Sequence, residues 1–156
     1  MGQTDMTVFT TNGAKIYIGA AMDITSGTVA AADFTSQTFT QIKEVQSIGT
    51  IGDAANEVTF ASLEDGRTRR FKGTRDAGTA ELTCGLDAAD AGQIALKAAE
   101  ATSDNYAFKV ELPDGSSRLF AAMVGTAQEA VSEADNIITL TATLWINSNV
   151  VKVAAE

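Results

Sequence analysis

Apolar and polar positions alternate along most of this chain. In KIYIGA, residues 15–20, Ile16 and Ile18 fall on one face and Lys15 and Tyr17 on the other, the period of a half-buried strand. TFTQIKEVQSI, residues 38–48, reads as a second strand region, and EVTFASL, residues 57–63, as a third. TAELTC, residues 79–84, turns Ala80, Leu82 and Cys84 inward. In NYAFKVEL the alternation is clearest, with Tyr106, Phe108, Val110 and Leu112 opposite Ala107, Lys109 and Glu111. The last strand, IITLTATLWI, sends Ile138, Leu140, Ala142, Leu144 and Ile146 one way and Thr139, Thr141, Thr143 and Trp145 the other. That threonine face is not expected in a core.

One segment breaks the rhythm. DAADAGQIALKAAEAT, residues 87–102, predicts a helix, with Asp87 as N-cap and Asp90 supporting its positive end. Asp90, Gln93, Lys97 and Glu100 recur at spacings of three and four and form the expected wet stripe. Ala88, Ala91, Ile94, Ala95, Ala98 and Ala99 form the face expected to pack closely on a sheet. The expected fold is therefore mainly β: a β-sandwich or barrel-like set of antiparallel sheets with one flanking α-helix, in a single domain over residues 1–156.

Two stretches, LEDGRTRRF at 63–71 and LPDGSSRLF at 112–120, share one pattern. Asp-Gly is a turn dipeptide, because both residues tolerate the backbone conformations a hairpin needs. In the second copy Pro113 suits the first inner position of a type I turn and Gly115 the left-handed position after it, which gives a glycine bulge. That turn sets Val110 opposite Arg118, Phe108 opposite Phe120 and Tyr106 opposite Ala122, adding Phe120 and Ala122 to the core face. A tight two-residue turn would instead bury Leu119, Ala121 and Met123. No proline decides the register of the first copy, which stays open. Two similar hairpins explain the recurrence better than a catalytic pair of Asp65 and Asp114.

Composition narrows the chemistry. With 156 residues the chain can bury roughly 70% of its unfolded surface unaided. It contains no histidine, so histidine relays and histidine-ligated metals are absent from its repertoire. Cys84 is the single cysteine and excludes an intramolecular disulfide. No spanning segment or signal peptide is read, and a soluble protein is expected. GTRDAGTA, residues 73–80, has phosphate-loop glycine spacing but no Lys, and leads into a strand rather than a helix.

Charge is unevenly spread. Residues 64–76 hold five basic residues, Arg67, Arg69, Arg70, Lys72 and Arg75, against three acids, while the rest carries six against seventeen. A basic arm on an acidic body is expected to find its complement on another copy of the same chain. Such a contact joins two different patches and propagates into rings or stacks. Nucleic-acid binding through the arm is disfavoured by the body's negative charge and by the lack of aromatic residues among the arginines.

The order AKIYIGA, the long run from FTQIKEV to IALKAA, YAFKVELPDGSSRLFAAMV and ITLTATLWI resembles the tail tube (major tail) proteins of lambda-like long-tailed bacteriophages, over roughly residues 14–147. The most specific parts are the KGTRDAG turn, the DAADAGQ helix start and the Tyr-x-x-Lys-x-x-x-Pro-Asp-Gly hairpin. Members often end the final strand with a Ser-Gly step; here Asn147-Ser148-Asn149 stands instead. The resemblance implies a structural virion protein without cofactor, catalytic site or membrane partner. Its copies form hexameric rings stacked into a hollow tail that conducts DNA without binding it specifically. It further implies a tape measure protein inside, terminator and tip proteins at the ends, and assembly in the host cytoplasm. An arm over about residues 49–78 would reach a neighbouring ring, making Arg67, Arg69, Arg70, Lys72, Arg75 and Asp76 the candidate contact residues. The same fold serves contractile tails and secretion-system tubes.

Two other classes make different demands. A monomeric β-sandwich binding module needs a groove lined with aromatics, and only Tyr17, Tyr106 and Trp145 offer them. A carboxylate enzyme needs an acid pair in a cleft, which nothing in the sequence places.

Overall fold

The computed structural model describes residues 8, 10–24 and 27–154. Its strands are β1 (Lys15–Met22), β2 (Thr40–Ile42), β3 (Val45–Ser47), β4 (Ala54–Ala61), β5 (Thr68–Asp76), β6 (Thr79–Gly85), β7 (Asn105–Glu111), β8 (Ser117–Ala130), β9 (Thr139–Ile146) and β10 (Val151–Val153). Helix α1 spans Ala91–Glu100, and a 3-10 turn occupies Ala31–Phe34.

Eight strands form one antiparallel sheet in the order β2-β1-β7-β8-β9-β6-β3, with β10 paired to the start of β8. The two edge strands, β2 and β3, are joined only by Lys43 and Glu44. A two-residue connection can link opposite edges only if the sheet curls until they meet, so the fold is barrel-like. The single strand region expected at 38–48 is thus two strands. Glu44 breaks it with φ 62°, and its carbonyl accepts the Gly85 N–H at 2.8 Å.

The alternating residues fill the interior as the sequence predicts. Ile16, Ile18, Ala80, Leu82, Cys84, Phe108, Leu140 and Leu144 are buried, and the Phe108 and Phe120 rings stack 5.7 Å apart. The β7–β8 hairpin has the bulged-turn register, with Phe108 opposite Phe120 and Tyr106 opposite Ala122. Gly115 sits at φ 95°, where the turn needs a left-handed residue. Beyond expectation, Ala107, Leu119 and Ala121 on the opposite face are also buried. Val29 and Phe34 form a second small cluster with Ala107 and Leu119.

Helix α1 corrects two expectations. Its N-cap is Asp90, whose carboxylate accepts the Gln93 N–H at 3.1 Å. Its buried face carries Gly92, Gln93, Leu96 and Ala99, while Ile94 is 54% exposed. The helix is rotated from the orientation that alanine and isoleucine suggest because its first turn closes the seam between β2 and β3. Gln93 Nε2 donates to Lys43 O at 3.1 Å and Gly85 O at 2.9 Å, while Asp90 accepts the Lys43 N–H at 3.1 Å. A Cβ on Gly92 would lie 2.2 Å from Gln41 O, so glycine lets the helix rest directly on the β2 backbone.

The end of the last strand is also settled. β9 stops at Ile146, and Ser148 turns inward, its hydroxyl donating to Asn149 O at 3.0 Å within the turn and accepting the Ala121 N–H of β8 at 2.9 Å. Asn149 brackets Val29, accepting its N–H at 2.7 Å and donating to its carbonyl at 3.1 Å. β10 then resumes along β8, a strand the sequence did not announce.

Candidate functional site

Strands β4 and β5 form a separate two-stranded sheet, hydrogen-bonded as strands only to each other. Val58 lies opposite Phe71, Phe60 opposite Arg69, Thr59 opposite Arg70 and Glu57 opposite Lys72. Strand alternation therefore puts Val58, Phe60, Arg69 and Phe71 on one face and Glu57, Thr59, Arg70 and Lys72 on the other. The apolar face is uncovered: Val58 is 49%, Phe60 54% and Phe71 55% exposed. Leu63, in the loop between the strands, is fully exposed.

The six predicted contact residues all lie on this ribbon or its connecting loop. Arg69 pairs with Asp65 at 2.6 Å, Arg70 with Glu57 at 2.9 Å and Arg75 with Asp53 at 3.8 Å. Asp76 accepts the Gly78 N–H at 2.8 Å and shapes the turn into β6. Among the described residues, Arg67 and Lys72 have no carboxylate within 4.0 Å.

This pairing revises the charge picture. Over residues 53–76, the ribbon together with the Asp53 that pairs with its Arg75, five acids meet five bases, so this unit is neutral rather than positive, and the remainder carries the whole −9. Asp53, just before β4, and Glu57, on it, are the two acids added to the three of residues 64–76, and their places beside Arg75 and Arg70 depend on the register that sequence left open. Exposed pairs of this kind contribute about 0–1 kcal/mol each. What distinguishes the ribbon is its uncovered row of apolar side chains, with Lys72 on the opposite face and Arg67 in the loop. The alternation of EVTF signalled the strand, but only the cross-strand partner shows that Phe71 joins Val58 and Phe60.

The carboxylate alternative has no geometric basis. Asp65 and Asp114 sit in different hairpin loops, each bound within its own turn. Asp65 accepts the Arg67 N–H at 3.1 Å and the Arg69 guanidinium, and both hold its carboxyl below the usual range. Asp114 accepts the Ser116 hydroxyl at 2.6 Å and N–H at 2.9 Å, with the same effect. A lowered pKa suits a turn and opposes service as a general acid. Burial pushes the Cys84 thiol up to about 11, so it is a core residue rather than a nucleophile.

Residues 6–155 match the family model described as phage tail tube protein, TTP. The chain belongs to that family. Tail tube proteins are structural components of the phage tail, and the protein is not an enzyme. No curated protein sequence matches it. Solved structures share the fold at low identity. The sheath/tube terminator of the extracellular contractile injection system PVC is 10% identical with a TM-score of 0.69, covering 97% of this chain and 100% of that one. The SPP1 tail tube is 14% identical with a TM-score of 0.61, covering 91% and 78%. A chain from the tail of the empty gene transfer agent particle is 18% identical with a TM-score of 0.61, covering 93% and 95%.

Proposed function

We propose that this tail tube protein assembles with itself into hexameric rings that stack into a hollow tube, through which DNA leaves the particle. The observation that carries the reading is the β4–β5 ribbon. A two-stranded ribbon with no third strand is marginal in water, and this one leaves a row of apolar side chains and two strand edges without a partner. Covering the exposed halves of Val58, Phe60 and Phe71 is worth roughly 3 kcal/mol per copy, and repetition around a ring multiplies it. The ribbon is thus proposed as the arm that reaches a neighbouring ring.

Hexameric symmetry is supported by the gene transfer agent tail, refined with C6 symmetry. A net charge of −9 on residues outside the ribbon suits a conduit, because acidic walls repel phosphate and let DNA slide. A tape measure protein within the growing tube and terminator and tip proteins at its ends complete the proposed set of partners. The reading concerns the tube and is independent of any surrounding sheath.

Negative-stain imaging and size-exclusion chromatography over rising protein concentration test it. Rings or tubes are expected from the native chain, and a folded monomer from the Val58→Thr/Phe60→Thr/Phe71→Thr variant. A native chain that stays monomeric at high concentration defeats the proposal.

A further inference from the structure

Asn12-Gly13 is the one place in the chain where glycine follows asparagine. An asparagine side-chain amide and the next backbone nitrogen are spaced to close a five-membered ring, and glycine leaves that approach free of a Cβ. Whether the ring closes in a folded protein depends on how firmly the amide and the nitrogen are held.

The other five asparagines are held, and larger residues follow them. Asn56 donates to the Thr74 hydroxyl at 2.7 Å and Asn136 to the Ser132 hydroxyl at 3.1 Å. Asn147 donates to the Asn105 amide oxygen at 2.7 Å, and Asn149 brackets Val29. Asn12 differs on every count. It is exposed, and among the described residues neither its side-chain amide nor the Gly13 N–H has a hydrogen-bond partner. Gly13 takes φ 97°, and a single backbone bond, from the Ala14 N–H to Thr11 O at 3.0 Å, closes the turn ahead of β1. An exposed turn closed by one bond opens at little cost.

The two Asp-Gly steps could close the same ring, but both are restrained. The Gly66 N–H donates to Ser62 O and the Gly115 N–H to Leu112 O, each at 2.9 Å, so both nitrogens are occupied. The hydrogen bonds of their own turns also keep the Asp65 and Asp114 carboxyls ionised, and a carboxylate resists attack by nitrogen far more than an amide does.

We propose that Asn12-Gly13 is a self-modification site, where the chain converts its own asparagine to aspartate and isoaspartate. Hydroxide takes the Gly13 N–H proton as the nitrogen bonds to Asn12 Cγ. The Cγ–Nδ2 bond then breaks, and ammonia leaves with a proton from water, which restores the hydroxide. Water opens the resulting succinimide at either carbonyl carbon. Opening at Cγ gives aspartate, and opening at the main-chain carbon gives isoaspartate, with an extra methylene in the backbone. Each conversion takes the net charge from −9 to −10 at an exposed turn and touches no buried core residue. The inference does not depend on self-assembly.

The test ages the full native chain beside Asn12→Gln, whose longer side chain would need a six-membered ring, in warm, mildly alkaline buffer. Circular dichroism before and after establishes that both stay folded. Peptide mass mapping should show Asn12 converting at least about tenfold faster than any other asparagine. An isoaspartate-specific carboxyl methyltransferase with a labelled methyl donor should label the aged native chain and leave aged Asn12→Gln at background. Ageing in guanidinium should change the Asn12 rate by less than about threefold, because the fold does not restrain this turn. Asn12 that persists in the folded chain overturns the inference, and conversion in guanidinium alone would place the protection in the fold. Label that remains in Asn12→Gln puts the chemistry at an Asp-Gly step and overturns it as well.

Discussion

Gln93 shows how a polar residue can hold a β-barrel shut. Its amide oxygen accepts the Asp87 N–H at 2.9 Å, and its amide nitrogen serves carbonyls on both sides of the seam, at Lys43 and Gly85. The side chain is 1% exposed, so all three groups would be left short of partners without it. Gln93→Leu keeps the volume and removes the bonds, and we expect it to cost about 3 kcal/mol in equilibrium urea unfolding of the monomer. Ile94, one position on and half exposed, should accept Gln within about 0.5 kcal/mol. A cost at Ile94 exceeding that at Gln93 would mean that the helix sits as its hydrophobic pattern suggests and not as described.

At the level of elements, what sequence could announce depended on whether the information was local. The β7–β8 hairpin was legible to its register because Pro113, Asp114 and Gly115 specify the turn, and the turn fixes every pair behind it. The helix was legible in place but not in rotation, since Gln93 is buried for the sake of carbonyls that lie distant in sequence. The break at Glu44 was hidden for the same reason: a left-handed glutamate leaves no mark on the alternation of TQIKEVQS. The six candidate contact residues were found together on one ribbon, but its self-pairing and its apolar face depend on a register with no turn residue to set it. Turn chemistry also yields a pH expectation. Asp114 has its carboxyl lowered chiefly by the Ser116 hydroxyl, so its contribution to stability is present above the unfolded aspartate pKa and is lost as pH falls through its depressed folded value. The Ser116 amide resonance should therefore titrate with a midpoint below about 3.9, the unperturbed aspartate value, and Asp114→Asn should abolish the step. A midpoint at or above that value contradicts the turn's hydrogen bonds.

For the whole molecule, barrel and ribbon separate cleanly. Ala54 pairs with Asp76, so the ribbon's two ends lie one strand spacing apart, about 5 Å, and a Gly-Ser linker can replace residues 54–76 without moving Asp53 or Ala77. No buried core residue falls in that span, so the shortened chain should keep the native thermal transition within a few degrees. It should form no tubes alone. Mixed with native protein it should act asymmetrically, because it retains the surface that receives a ribbon but has no ribbon to give. A ring made with such copies can dock at one end of a growing tube and offers the next ring nothing to hold. One shortened copy in ten should therefore cut mean tube length severalfold in negative-stain images, with gold-labelled shortened copies concentrated at one end. Even labelling along tubes of native length would show that stacking proceeds through some other surface, whatever the ribbon does.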